Sequence, residues 1–485
     1  MNRLSRRGFM AGLGLLALTP RMAVAQQPPA PRPSHLGPEK LITEAKLGGV
    51  VAFAVIDPIS GQVLAERQAD QPMAPASTLK AVTALYALDR LGEGHRFPTR
   101  VIRAGNTLIL AGGGDPVLDT DALDELAAAA VADEKAAGRT PPTTFAVWGG
   151  ALPRIERLDP AQDVHLPYNP SISGMILNFN RVHLDWRRGE KGYRLSLEAR
   201  GRKLSPRAYT TAITTVDRSL PLFTYDADKL ESWTIARRSL GRSGSRWLPV
   251  RRPELYAGDV FQTLCRARGL ALPNPEVIEI LPEGVEIARH ESPPLHQIVQ
   301  DMLEYSTNLT AEVIGLAASR AGDAPSSAHA MADWLRGQGI NSEFAFHDHS
   351  GLSPLNRVNA RMLAALMAGP GQSRNLRRLM KLIPLRDAQG KRKESDIRVE
   401  AKTGTLNFVS NLAGYAQPAE GRALAFAILT GDEPRRAATE GQELPEGVQG
   451  WTKRSKALQQ ALIEDWLAEF AASAPIAATP DGVNL

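Results

Sequence analysis

Apolar positions along this chain follow two different periods, and the changes between them mark its elements. The stretch LGGVVAFAVIDP is almost continuously apolar and is followed by GQVLAER, with a Pro-Ile-Ser-Gly turn between, which predicts a hairpin of two strands. From Leu79 the period lengthens. Leu79, Val82, Leu85, Leu88 and Leu91 recur at helical spacing until Gly92 and Gly94, so a helix is predicted to open just after Pro75 and Ala76. Beyond residue 96 come short strand-like runs, TLILAGGG, TTFAVWGG, RVHLDW and YRLSLEA, the last two flanking a charged turn from Gly189 to Gly192. One helical interruption is predicted there, from Ala122 to Ala137. Helical patterning returns from Pro294 to Leu303 and from Ala311 to Ala318. DIRVEAKTGTL, NLAGYAQ and RALAFAILTG then read as strands, the last two joined by a PAEG turn. A final helix presents Leu458, Leu462, Trp466, Leu467 and Phe470 on one face. Its polar face carries Glu464, Asp465 and Glu469 rather than a basic stripe, so it is predicted to cover the sheet and not a membrane surface.

The first predicted helix opens on Ser77-Thr78-Leu79-Lys80, which puts a hydroxyl and an amine one helical turn apart on the same face. A serine hydroxyl is a poor nucleophile at its free pKa and needs an adjacent base, and Lys80 is the candidate. An amine accepts a proton only when neutral, so its pKa must fall from about 10.4 through burial and a nearby second cation. Lys402 is expected to supply that cation, from Lys402-Thr403-Gly404 on a strand at the edge of an antiparallel sheet. Between the two lies Ser306-Thr307-Asn308, at the end of a predicted helix. Ser-x-x-Lys and Lys-Thr-Gly each occur once, whereas Ser-x-Asn recurs at Ser373-Arg374-Asn375, which reads as a polar helix start. The ordered trio is the pattern of a serine acyl-transfer site.

The interval from Ser77 to Ser306 is too long for a connection within one compact unit, and an inserted region accounts for it. Residues 35–95 and 286–475 are expected to form the catalytic domain, with 96–285 inserted as one or two β-rich domains and 476–485 a flexible tail. Ahead of them, Ser5-Arg6-Arg7-Gly8-Phe9-Met10 leads into a short apolar run ending near Pro20, with Ala23-Val24-Ala25 as a small-x-small cleavage pattern. Residues 1–25 therefore read as a twin-arginine export signal, too short to span a bilayer, and residues 26–34 as a Pro-rich linker. The expected location is the periplasm, with no transmembrane segment, and weak association with membrane or wall is compatible with it.

Of the formal net charge of +5, four units are Arg3, Arg6, Arg7 and Arg21, and with no acidic residue in 1–25 the remainder carries +1. Nothing in that balance favours nucleic acid. The single Cys265 cannot form an internal disulfide and reads as a small buried apolar residue. His347 and His349 lack an evident third ligand, so no metal site is expected and the pair is placed in a loop near the site entrance. Gly112-Gly113-Gly114-Asp115 lacks the Gly-Lys-Ser/Thr continuation of a phosphate loop and reads as a tight turn. Arg187, Arg188 and Lys191 read as a solvated hairpin.

With these motifs the chain resembles penicillin-binding proteins of the D-alanyl-D-alanine carboxypeptidase/endopeptidase family, low-molecular-mass class C, over nearly all of its length beyond the leader. The resemblance extends to Ala111-Gly112-Gly113-Gly114-Asp115-Pro116, His290-Glu291-Ser292-Pro293-Pro294-Leu295, Asn308-Leu309-Thr310-Ala311-Glu312 and Asp348-His349-Ser350-Gly351-Leu352-Ser353. It implies an α+β penicilloyl-serine-transferase fold, β-lactamase/transpeptidase-like, with helices against a five-stranded antiparallel sheet and extra domains inserted after the Ser-x-x-Lys helix. It further implies a catalytic set of Ser77, Lys80, Ser306, Asn308 and Lys402. Ser306 would relay a proton to the leaving amine, and Asn308 would hold the substrate carbonyl and the lysines in register. The backbone N–H groups of Ser77 and Thr405 would receive the developing oxyanion. Thr403, Gly404 and Thr405 would bind substrate, with Gly404 clearing the strand for it. The implied activity is that of a serine D,D-peptidase without cofactor, acting on peptidoglycan stem peptides and acylated by β-lactams as covalent inhibitors. The alternatives are a β-lactamase or esterase on the same fold, or a non-catalytic muropeptide-binding or antibiotic-sensing protein.

Overall fold

The computed structural model describes residues 36–228 and 230–471, and the expected leader (1–25), linker (26–34) and tail (476–485) lie outside them. After a short helix α1 (Pro38–Ala45), the hairpin forms as β1 (Val50–Ile56) and β2 (Val63–Arg67). β1 is buried from Val51 to Ile56, which is why its sequence is continuously apolar, while β2 is exposed or half-buried throughout. A 3-10 turn (Ala76–Leu79) then runs directly into α2 (Lys80–Leu91), every residue of which from Lys80 to Leu88 is buried. Gly92 ends this central helix at φ 87°, its N–H reaching the Leu88 carbonyl.

The next segment builds sheets of its own from β3 (Pro98–Ala104), β4 (Thr107–Gly112), α3 (Thr120–Ala136), β5 (Thr144–Trp148), β6 (Arg181–Gly189), β7 (Gly192–Glu198), β8 (Thr211–Val216), β9 (Phe223–Asp226), β10 (Glu231–Ala236), β11 (Ser243–Pro249), α4 (Pro253–Ala267), β12 (Pro275–Ile278) and β13 (Val285–Glu291). A mixed five-stranded sheet has the order β12-β5-β4-β3-β13, and two three-stranded sheets have the orders β11-β6-β7 and β8-β10-β9. β5 is parallel to both β4 and β12, so the chain must cross over between them, and α3 and α4 occupy those crossovers. α4 was not among the expected elements. Its Tyr256, Val260, Phe261 and Leu264 are buried at helical spacing behind Pro253 in the first turn, a pattern outweighed in sequence by its strand-like neighbours. Cys265 lies on this helix, fully buried as expected. β3 and β13 pair with Pro98 opposite Glu291, so the chain enters and leaves these sheets through neighbouring strands.

The chain continues through α5 (Leu295–Tyr305), α6 (Asn308–Ser319), α7 (Ala324–Gly337), α8 (Ala360–Leu366), β14 (Lys381–Leu382), β15 (Arg398–Leu406), β16 (Val409–Gln417), β17 (Leu424–Gly431), α9 (Glu433–Ala438) and α10 (Val448–Phe470). The last strands join the first hairpin in an antiparallel sheet of order β14-β15-β16-β17-β1-β2. It has six strands where five were expected, the sixth being the two-residue β14, which pairs only with Glu400 and Ala401 of β15. Among the described residues no strand covers that side of β15 from Lys402 onward. One face of the sheet presents small residues, Ala52, Ala54, Ala413 and Ala427, to the core shared with α2 and α5–α8. The other is covered by α10, whose Trp451, Leu462 and Trp466 pack with Phe53 and Phe426. Burying each of these aromatics contributes on the order of 2–3 kcal/mol. Among the described residues no helix is long and apolar enough to cross a membrane.

Candidate active site

The first two motifs lie where elements begin or end, and the third lies within β15 beside them. Ala76, just before Ser77, is held at φ 46°, a left-handed conformation that a residue with a Cβ adopts only when its surroundings impose it. Gly351, at φ 80°, lies so close to the Ala76 carbonyl that a Cβ there would overlap it. Asn411 of β16 donates its side-chain amide to the carbonyls of Ala74 and Pro75, both at 2.9 Å, and the Thr78 hydroxyl caps Pro75 at 2.7 Å. Gly404 stands opposite Asn411 in the β15–β16 register, and a Cβ on it would fall 2.7 Å from the Pro75 oxygen and 3.1 Å from the Ser77 nitrogen. The absent side chain of Gly404 therefore makes room for the Ser77 turn.

Ser306 ends α5 in a left-handed conformation, φ 61°, with its N–H on the Met302 carbonyl at 2.8 Å. Its hydroxyl accepts from Lys402 Nζ at 2.9 Å, and the same amine donates to the Thr403 carbonyl at 2.9 Å. Asn308 begins α6 two residues later. Lys80 Nζ lies 2.9 Å from Ser77 Oγ, 2.8 Å from Asn308 Oδ1 and 2.7 Å from the Ser350 carbonyl. The last two partners are carbonyl oxygens that can only accept, so they take two N–H bonds of the amine. In neutral Lys80 the lone pair is then left for the Ser77 hydroxyl, which is the geometry proton abstraction requires. All eight expected site residues thus fall in or beside one constellation, with Thr405 exposed and Thr403 half-buried next to Lys402.

Burial drives the titration of both lysines. Lys80 is 0% exposed, and loss of solvation pulls its ammonium down to about 8, with Asp348 and Glu312 opposing the fall. Lys402 is pushed well below the ordinary lysine range by burial first and then by repulsion from Lys80 and Lys381. Of the two causes expected for the fall of Lys80, burial and a second cation, burial is the larger, and the two ammonium groups disfavour each other.

Ser77, Asn308 and Thr405 line a cleft of roughly 1210 Å³. The segment between the motifs supplies one wall through Asp159, Leu166 and Tyr168, and the Asn308 amide donates to the Tyr168 carbonyl at 3.2 Å. His349 is not at the entrance as expected. It is fully buried, its Nε2 2.7 Å from Ser327 Oγ, and desolvation holds its imidazole down at about 3, hence neutral. His347 alone of the pair is exposed, and among the described residues no cluster of three or more His, Cys, Asp or Glu is placed to hold a metal. Arg187, Arg188 and Lys191 are exposed on the β6–β7 hairpin, and Asn375 leads a 3-10 turn at Leu376–Leu379. Asn411, Ser350 and Tyr168 escaped sequence reasoning, two of them because they act through backbone carbonyls that no residue type advertises.

Comparison with known proteins matches residues 39–454 to the model of the D-Ala-D-Ala carboxypeptidase 3 (S13) family. A carboxypeptidase of Mycobacterium tuberculosis is 28% identical over 413 residues, 79% of this chain and 77% of that protein. A D-alanyl-D-alanine carboxypeptidase of Actinomadura sp. strain R39 is 25% identical over 450 residues, 82% and 83% of the two chains. Among solved structures, penicillin-binding protein 4 of Haemophilus influenzae, complexed with a β-lactam, superposes with a TM-score of 0.67 at 20% identity, covering 88% of this chain and 99% of that one. The fold is thus the α+β fold of the penicillin-binding proteins, as the resemblance implied.

Proposed function

The chain belongs to the D-Ala-D-Ala carboxypeptidase 3 (S13) family, and from that premise we propose that it is an exported serine D,D-peptidase working through a Ser77 acyl-enzyme. Lys80 takes the Ser77 hydroxyl proton as Oγ bonds to the penultimate D-Ala carbonyl carbon, and the backbone N–H groups of Ser77 and Thr405 receive the oxyanion. The C–N bond then breaks as the proton taken by Lys80 passes by way of Ser306, held by Lys402, to the departing amine, which leaves Lys80 neutral again. Neutral Lys80 takes a proton from water as the water oxygen attacks the ester carbon, and returns it to Ser77 Oγ as the acyl–oxygen bond breaks. Lys402, Thr403 and Thr405 face the terminal carboxylate, whose negative charge favours the ammonium form of Lys402 that burial disfavours. The leaving amine is D-Ala in carboxypeptidase action and a cross-linked stem peptide in endopeptidase action. β-Lactams present the same carbonyl and carboxylate and arrest the enzyme as an acyl adduct.

The observation that carries this reading is the set of three contacts at Lys80 Nζ, which leave its lone pair to Ser77. The twin-arginine pattern and short apolar run within residues 1–25 support export to the periplasm, where the substrate lies. The length and strand content of 96–285 support its being an insertion in a catalytic domain formed by 35–95 and the chain from 286 to 475, and the pairing of β13 with β3 carries the insertion on to Glu291. Released D-Ala is the test. The wild-type protein is expected to liberate D-Ala from a pentapeptide ending in D-Ala-D-Ala and Ser77→Ala is expected not to; equal release by both refutes the mechanism.

A further inference from the structure

A buried carboxylate lies behind Lys80 to which the acyl-transfer steps assign no part. α6 presents Asn308, Glu312 and Gly315 on one face, at spacings of four and three residues. Asn308 accepts from Lys80. Glu312, only 3% exposed, accepts the Ser350 N–H at 2.9 Å and the His349 N–H at 3.1 and 3.2 Å. Gly315 has no side chain where the His349 ring packs. Glu312 and Gly315 thus receive one loop, residues 348–351, and the Ser350 carbonyl of that loop accepts from the same Lys80 amine that donates to Asn308.

Two carboxylates hold Ser350 from opposite ends. Glu312 takes its N–H, while Asp348 takes the N–H of Gly351 at 2.7 Å and that of Ser353 at 2.6 Å. Because the Ser350 carbonyl and the Gly351 N–H share one planar peptide unit, fixing both ends fixes where the carbonyl points. We propose that Glu312 is a positioning residue for acyl transfer, holding the Ser350 peptide so that its carbonyl turns the Lys80 lone pair to Ser77, and setting by its charge the pH at which Lys80 becomes neutral. The proposal rests on the Ser77–Lys80 reading above.

The charged groups around Lys80 are Glu312 on α6 and Asp348 in the loop, which favour its ammonium, and Lys402 on β15, itself flanked by Lys381 and Glu304. His349 is neutral. Burial and the neighbouring Asp348 push Glu312 up, while the hydrogen bonds from Ser350 and His349 and the charge of Lys80 draw it down, so the charged forms of Glu312 and Lys80 favour each other. Removing the Glu312 charge withdraws support from the ammonium, and Lys80 loses its proton at lower pH.

The test is the second-order rate constant for acylation by a labelled penicillin, measured from pH 5 to 10 in the full chain. In Glu312→Gln the acidic limb is expected to move down by about one pH unit. In Glu312→Asp, which keeps the charge but is one methylene too short to reach both amides, the limb is expected at the wild-type pH with a maximum roughly tenfold lower. A purely structural role would lower amplitude in both without moving the limb, so an unmoved limb in Glu312→Gln overturns the proposal. If that variant does not fold, a wild-type maximum in Glu312→Asp overturns it. Absence of acylation in the wild-type protein at every pH would instead refute the Ser77 reading on which the proposal stands.

Discussion

Lys80 combines two opposed demands. It must be neutral to take a proton from Ser77, yet two carboxylates lie close enough to favour its charge. Burial settles the contest and brings it to about 8. The sign of the pH dependence follows. Below that pH Lys80 is protonated and cannot act as base; above it the fraction of neutral amine rises to one. Acylation of Ser77 by a β-lactam is therefore expected to rise with pH through a midpoint near 8, and Lys80→Ala is expected to lose at least about a thousandfold above that pH and to lose the rise itself. A rate that falls across this range, or a Lys80→Ala variant that keeps the wild-type profile, would remove Lys80 from the role of base.

At the scale of elements, the site is the seam between a strand and a turn. β15 presses on the 3-10 turn at Gly404, Asn411 of β16 ties down the two carbonyls before it, and Gly351 packs on Ala76. This over-determination is what holds Ala76 in its left-handed conformation and presents Ser77 half-exposed at the cleft. Gly404→Ala is expected to push β15 off the turn, costing about 1–3 kcal/mol of stability and lowering acylation at least tenfold. Thermal unfolding and acylation kinetics on the same preparation check this, and unchanged values for both would show that the strand does not support the turn.

At the scale of the whole molecule, the segment between the first two motifs reaches into the chemistry. Arg251, buried, donates to the carbonyls of Glu156 at 3.1 Å, Val164 at 2.7 Å and Asn169 at 2.7 Å, and so clamps the loop that carries Tyr168 to Asn308. Arg251→Ala is expected to lower kcat/KM for a stem peptide roughly tenfold while β-lactam acylation changes less, since the smaller ligand leans less on that wall. Equal losses on both substrates would count against a substrate-binding role for the loop.

The same scale explains what could be read in advance. That Ser77, Lys80, Ser306, Asn308 and Lys402 come together was legible because they fall in three short motifs of the residue types acyl transfer demands. The sheet was legible because VVAFAVI, NLAGYAQ and LAFAILTG are buried strands and read as such. Helix α4 was overlooked despite a clear period, and β14 is too short to leave one. Glu312 and Asn411 act across long sequence separations on backbone groups, and that kind of partner leaves no pattern along the chain. The packing of Gly404 on the Ser77 turn was not legible, because a glycine signals that something is close without saying from which side.

The central claim is that Ser77 carries the acyl group. Incubation of the full chain with a labelled penicillin, followed by intact-mass measurement and peptide mapping, tests it most directly. One covalent adduct on the peptide containing Ser77, absent in Ser77→Ala, is the result predicted; an adduct on any other residue, or none, would contradict it.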